Sequence, residues 1–382
     1  MKVILDWRCK AMKKRLIAFC LLVLFFSASY ARAIDIKTGV EGFSLALRAD
    51  IDGLFSFYKN WNRTPKSPLR FPDRAYLGIY SEYKDVGIEA SYYIYKPWSS
   101  GSLAEYSHFW HKLFFYWKPS ETLIIKAGLF DLNFGLKFDS TWWMALQWVL
   151  GLEEPYDTGL GIEYHGKKTP LNFYLSYFRE KEGTYQQPAA YDPAPGTGEQ
   201  DIIVGRVTYP FKLGESTKLE IGLAGYHGRT QENIINETAW SAGNRNMFDA
   251  DITLSLPIGL TFSAEYIHFK YSAVASDGSF WMPMSGFGMP DYFATPLEAD
   301  VYWLDGIYTR PLNYKFLQSI SLANNFSAVK SKDGRDIYQN VVSLQFKSVS
   351  TYTWIEWIMY KNETLPDPGW NWNVTIILRY SL

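Results

Sequence analysis

Trp370–Leu382 reads WNWNVTIILRYSL, and from Trp372 onward every second residue is apolar: Trp372, Val374, Ile376, Leu378, Tyr380 and Leu382. Between them stand Asn373, Thr375, Ile377, Arg379 and Ser381. Successive side chains of a strand point to opposite faces, so this period of two predicts a strand with one apolar and one mainly polar face. Chain ends are commonly frayed and polar, yet here the apolar face runs to Leu382.

The same alternation recurs upstream. Phe43, Leu45, Leu47, Ala49 and Ile51 oppose Ser44, Arg48, Asp50 and Asp52; Phe248, Ala250, Ile252 and Leu254 oppose Asp249, Asp251 and Thr253. Sixteen strands are predicted, near residues 40–58, 74–84, 86–96, 106–118, 121–130, 156–165, 171–180, 201–210, 218–228, 246–256, 260–271, 299–310, 316–329, 337–347, 351–361 and 372–382. The segment 299–310 is the least regular, because Val301 and Trp303 on one face oppose Tyr302 and Leu304 on the other. Short links such as KDVG, KPSE, GKKTP and PIG carry turn chemistry. They alternate with long ones such as 131–155 and 272–298. That places the short links at one end of the molecule and the long ones at the other.

An even number of antiparallel strands with short turns at one end and long loops at the other predicts an all-β, transmembrane antiparallel β-barrel. A soluble β-sandwich also alternates, but it rarely needs sixteen strands. The chain is 47% hydrophobic and 18% aromatic with a mean hydropathy of -0.17, a balance that fits contact with both lipid and water. Trp110, Trp117, Trp354, Trp357 and Trp372 are expected in the aromatic girdles at the two membrane interfaces.

Lys13, Lys14 and Arg15 precede the apolar run LIAFCLLVLFF, and Ala31 and Ala33 follow in an A-x-A arrangement. This predicts a secretory signal peptide over residues 1–33, with Met12 an alternative start. A retained anchor helix is the rival reading, but the run is short for a span of roughly 20 residues. Cys20 follows Phe19, which is too large for a lipoprotein site. Residues 34–382 then form the barrel, with 31 basic and 38 acidic residues and no cysteine. A formal charge of -7 gives no support to a nucleic-acid partner, and the missing cysteines leave no disulfide or thiolate metal site.

With this layout the chain resembles the sixteen-stranded outer-membrane porins of Gram-negative bacteria. KAGLFDLNFGLKFDS (Lys126–Ser140) is similar to the strand-to-loop passage of the phosphate-selective porin group, through Gly128, Phe130, Phe134, Gly135 and Leu136. IIVGRVTYPF (Ile202–Phe211) resembles a central strand with an inward arginine, Arg206. The resemblance implies a passive channel for small hydrophilic solutes or ions, inserted into outer-membrane lipid by the barrel-assembly machinery, and homotrimers as in its lookalikes. It implies no cofactor. Phosphate selectivity does not carry over, because no dense ladder of inward Lys or Arg is visible. Porin chains usually end in an aromatic residue, and Leu382 departs from that.

In such a barrel the polar strand face lines water. The candidate pore-lining residues are Arg48, Asp50, Asp52, Lys112, Lys126, Glu163, Arg206, Asp249, Asp251, Glu265, Glu356 and Arg379. Adding Lys118, Lys218, Lys347, Glu82, Glu89, Asp157 and Glu220 gives eleven acidic against eight basic residues. That count leans toward weak cation preference, unless the charges merely solvate one another. The third long link, 131–155, contains TWWMALQWVLGL with helical spacing of Trp142, Leu146 and Val149. It is the candidate constriction, with Asp131, Lys137, Asp139, Trp142, Trp143, Glu153 and Glu154 as its chemically active residues; the alternative is packing over the rim or on another subunit.

Enzyme readings find little support. His108 and His111, three apart on a strand, cannot clasp one metal. The GFSLA stretch near Ser44 lies inside a strand rather than on a nucleophile elbow and lacks the final glycine. No phosphate-binding loop is visible. The alternatives to a channel are a binding or scaffold barrel and, more remotely, an outer-membrane hydrolase.

Overall fold

Alternating aromatic and β-branched residues favour extended backbone with two unlike faces, and in the computed structural model they form sixteen long antiparallel strands. The structure describes residues 34–36, 40–59, 69–95, 107–136, 140–143, 145–146, 152, 156–167, 169–180, 199–214, 216–235, 238–283, 294–312, 314, 316–364 and 369–381. The strands are β1 Phe43–Lys59, β2 Leu69–Tyr83, β3 Val86–Tyr95, β4 Ser107–Ser120, β5 Leu123–Asp131, β6 Tyr156–His165, β7 Asn172–Glu180 and β8 Glu199–Lys212. They continue as β9 Lys218–Thr230, β10 Gly243–Leu256, β11 Leu260–Tyr271, β12 Glu298–Pro311, β13 Ser319–Ser331, β14 Ile337–Lys347, β15 Thr351–Asn362 and β16 Asn371–Ser381. All sixteen expected segments are present, with ends shifted by a few residues.

Each strand pairs with the next, and β16 returns to β1 in a register running from Asp50 opposite Ser381 to Lys59 opposite Trp372. The sheet is therefore closed. The quoted C-terminal stretch is the closing strand, and Asp52 faces Arg379 across the seam. Short turns alternate with long links except around β13, where the link 312–318 before it is longer than the link 332–336 after it. The turn between β10 and β11 requires glycine: Gly259 has φ +82°, and a Cβ there would lie 2.2 Å from the Thr309 carbonyl oxygen. Three smaller features were not legible beforehand. Ile34–Ile36 pairs with Leu45–Leu47 of β1, and two three-residue hairpins form within the long links, Asn233–Ile235 with Thr238–Trp240 and Trp281–Pro283 with Ala294–Pro296.

The outer surface is apolar. Leu77, Ile79, Phe115, Leu160, Leu223, Phe262, Leu304 and Leu322 are all exposed there, while Ser176, Thr208, Asn325, Ser343 and Thr375 are buried on the inner face. Only a closed barrel satisfies every backbone group of a sheet in lipid, and this polarity is that of a membrane-spanning barrel rather than a sandwich. Trp110, Trp117, Trp357 and Trp372 lie exposed on the outer side. Trp354 does not join them. It shares the inward parity of Glu356 and packs against Ile377, Trp142 and Tyr352 inside the barrel.

Part of the inner wall is apolar too. Phe114, Phe130, Phe178, Ile202, Val204, Met247, Ile267, Phe269, Val301 and Val329 form one buried cluster. This explains the irregular segment at 299–310. Tyr302 and Leu304 face lipid, while Val301 and Trp303 face a packed interior, so neither face of β12 is polar there.

The loop across the lumen and the candidate channel site

Described residues of the link between β5 and β6 pack against that apolar part of the wall. Leu132, Phe134, Leu146 and Leu152 are fully buried in the inner-wall cluster. Burial of side chains of this size is worth about 1.5–3 kcal/mol each. Polar anchors then follow the loop round the wall. Asn133 donates to Glu163 of β6 at 3.2 Å, Phe134 meets the Tyr226 ring of β9 edge-on, and the Leu136 N–H donates to Glu265 of β11 at 2.7 Å. Ser140 donates to Asp305 of β12 and accepts from Gln345 of β14 through its carbonyl.

Glu356 of β15 receives the tip: its two oxygens accept the Trp142 N–H at 2.6 Å and the Trp143 N–H at 2.8 Å. The Trp142 indole reaches Asp52 of β1 at 3.4 Å, and on the way back the Leu146 N–H donates to Ser327 of β13 at 3.2 Å. The loop thus starts beside β6, crosses to β15 and β1, and returns. Residues 140–143 run as bends, and 147–151, where the helical spacing continues, lie outside the described residues.

Opposite the loop, β1–β4 and β16 bound a cavity of about 240 Å³ lined by Arg48, Asp50, Asp52, Arg74, Tyr76, Tyr80, Glu89, Tyr93, His111, Lys112 and Arg379. Its centre is a carboxylate held by two guanidinium forks. Arg74 donates to Asp52 through Nε at 2.9 Å and Nη2 at 2.6 Å, and Arg379 through Nε at 2.8 Å and Nη2 at 3.1 Å. Ring faces fix the guanidinium groups: Arg74 lies 5.6 Å from Tyr93 and 5.9 Å from Trp142, Arg379 5.1 Å from Trp354, and Arg48 5.9 Å from Tyr76. Lys112 lies between Glu89 at 3.6 Å and Asp131 at 3.4 Å.

A second charged group lies buried on β8, β10 and β11. Arg206 sits 3.1 Å from Asp249 and 2.7 Å from Asp251, and Glu265 completes a cluster whose carboxylate oxygens lie within 4.8 Å of one another. Gly222 of β9 makes room for it, since a Cβ there would fall 2.2 Å from Asp251 Oδ2 and 2.6 Å from Arg206.

The structure therefore separates the residues expected along the pore. Arg48, Asp50, Asp52, Lys112 and Arg379 meet in the cavity, and Asp131 reaches it through Lys112. Lys126 pairs with Glu163 at 2.6 Å. Arg206, Asp249, Asp251, Glu265 and Glu356 are buried, the two glutamates against the loop backbone. Trp142 and Trp143 stand at the tip, whereas Lys137, Asp139, Glu153 and Glu154 lie outside the described residues. Sequence reasoning missed Arg74, Tyr76, Tyr80, Tyr93 and His111. Parity offered Arg74, Tyr76 and Tyr80, which share the face of Glu82. His111 was hidden by a β-bulge, for Ser91 pairs with Lys112 and Tyr92 with Trp110, leaving His111 as the extra residue.

No family model matches the sequence, and no curated protein does. Its architecture, however, matches solved structures over nearly its whole length. The anion-selective porin of Comamonas acidovorans superposes with a TM-score of 0.59 at 10% identity, over 89% of this chain and 100% of that one. The fold is the porin fold. OmpF of Salmonella typhi, solved with daunomycin, gives 0.58 at 11% identity over 91% and 100%, and the outer-membrane protein OmpT of Vibrio cholerae 0.58 at 9% over 92% and 100%. Within this fold the described residues form a closed wall, with part of the interior packed by loop residues and another part bounded by charged side chains.

Proposed function

We propose that the chain is a passive diffusion channel of the bacterial outer membrane, admitting small hydrophilic solutes or ions through a lumen narrowed by the link 131–155. The observation that carries this reading is the anchoring of residues 132–136, 140–143 and 146 across the interior. Beside these residues lies a charged cavity on the wall of β1–β4 and β16, whose Asp52 and Arg74 meet Trp142 of the loop. Such an arrangement moves solutes without cofactor or energy source: wet charged walls replace part of a solute's hydration, and the loop sets the width. The chain is exported with residues 1–33 removed, and copies associate as trimers, as the trimer form of Vibrio cholerae OmpT does.

Planar-bilayer recording of the refolded barrel tests the proposal. Stable, salt-dependent conductance steps are expected, and deletion of 139–150 should raise them. A silent barrel would refute the channel and direct attention to a binding or hydrolytic role, while unchanged conductance after the deletion would remove the loop as the narrowing element.

A further inference from the structure

A count of inward residues gives more acids than bases, but solutes respond to charges that face water. The described acids divide sharply by that criterion. Asp249, Asp251, Glu265, Asp305 and Glu356 are all buried in the packed half, each at 5% exposure or less. Glu265, Asp305 and Glu356 accept hydrogen bonds from loop residues there, and Asp249 and Asp251 share the Arg206 guanidinium. Buried and engaged in this way, they are withdrawn from the lumen surface, so a permeating ion does not meet them directly.

Around the cavity the order is reversed. Side-chain exposure is 52% for Arg48, 27% for Arg74, 25% for Arg379 and 23% for Lys112, against 12% for Asp50, 2% for Asp52, 20% for Glu89 and 22% for Asp131 beside Lys112. Asp52 lies behind two guanidinium groups that both bond to it, so this triad has a net charge of +1 with its cations outermost. Arg48 adds the most exposed cation and touches Asp50 only at 3.4 Å. Guanidinium groups have planar donor forks matched to carboxylate and similar anions, and their stacking on Tyr76, Tyr93, Trp142 and Trp354 keeps those forks oriented.

We infer that the cavity bounded by Arg48, Arg74, Lys112 and Arg379 is an anion-selecting site, so that the channel passes small anions, inorganic or carboxylate, in preference to cations. This rests on the channel reading above and reverses the cation preference suggested by counting. Asp52 serves as a positioning residue: it accepts from both Arg74 and Arg379 and so holds the two guanidinium groups at the cavity wall.

The test is the zero-current potential of the refolded full barrel in a bilayer across a KCl gradient. Chloride-dominated permeability is expected, and a potential of the potassium sign overturns the inference while leaving the channel intact. Absence of any conductance would instead defeat the channel reading itself. Arg48→Glu, a half-exposed position outside the Asp52 bridge, should at least about halve the chloride-to-potassium permeability ratio, since selectivity follows lining charge. Arg48→Lys should keep the ratio near wild type. A ratio unmoved by Arg48→Glu in a conducting, folded barrel would refute the role of the cavity. Benzoate added to the bath should reduce chloride current in wild type and less so in Arg48→Glu; equal reduction in both counts against a carboxylate site here.

Discussion

Glu356→Ala is the most direct perturbation of the loop. Glu356 is fully buried and accepts hydrogen bonds from the Trp142 and Trp143 backbones and from Ser343 Oγ at 3.0 Å. A hydrogen bond to a charged group contributes about 1.5–3 kcal/mol net, so the two backbone bonds together hold the tip by about 3–6 kcal/mol on the same scale. At 1.4 kcal/mol per factor of ten, their loss raises the undocked population of the tip by roughly 10²–10⁴-fold. Release should stay local, because Leu132, Phe134 and Leu146 remain packed and Leu136 keeps its bond to Glu265.

The expected record in a planar bilayer is a larger or noisier open level, with sub-states as the tip leaves and returns to the wall. Glu356→Gln retains one acceptor oxygen but turns an amide toward the second N–H, so it should fall between wild type and alanine. Barrel assembly should be nearly unaffected, since the backbone pairing of β15 with β14 and β16 does not involve this side chain. If Glu356→Ala matches wild type in conductance, noise and voltage threshold, the tip is not held by this carboxylate and the reasoning fails.

Other positions probe other parts of the argument. Leu160→Arg places a charge on the exposed outer face; near the bilayer midplane this should cost about 2–4 kcal/mol, read as a lower denaturation midpoint in vesicles, and an unchanged midpoint would remove β6 from the lipid face. Arg206→Ala leaves Asp249, Asp251 and Glu265 without their cation and should destabilise by about 3–5 kcal/mol as for a broken buried pair; Gly222→Ala should perturb the same cluster sterically, and tolerance of both would show that it is not packed as described. Leu146→Ala empties a fully buried site in the loop and should cost about 2–5 kcal/mol, visible as thermal destabilisation together with open-channel noise rather than as either alone.

The strands were legible because lipid and lumen impose opposite chemistry on alternate residues, as at Phe248 and Asp249 or at Leu378 and Arg379. The pattern weakens where both sides of the wall are dry. On β11, Phe262 and Tyr266 face outward while Ile267, Phe269 and Tyr271 face inward, so the apolar phase changes within one strand without a break in the backbone. Long links and their alternation located the inward loop, but not its docking. Leu136 meets Glu265 across 129 residues, and Trp142 meets Glu356 across 214. Such pairings arise only when the barrel closes, and no local spacing encodes them. Arg74 was within reach, since it shares the parity of Glu82; His111 was not, because a bulge changes parity without a sequence mark.

The division of charge inside the barrel follows from what each half meets. A loop threaded through a lumen brings backbone N–H groups that must be satisfied away from water, and carboxylates answer them, as Glu265 does for Leu136 and Glu356 for Trp142 and Trp143. Lysine or arginine at those positions could only donate and would leave the same N–H groups unpaired. Glu265, Asp305 and Glu356 are therefore explained by loop docking, without any reference to solute. In the open half Asp52 accepts from Arg74 and Arg379, which line the cavity, as well as from the Trp142 indole. One residue type thus serves as an anchor where it meets backbone and as a brace where it meets guanidinium, and the cations left outermost are the ones a permeating ion would encounter.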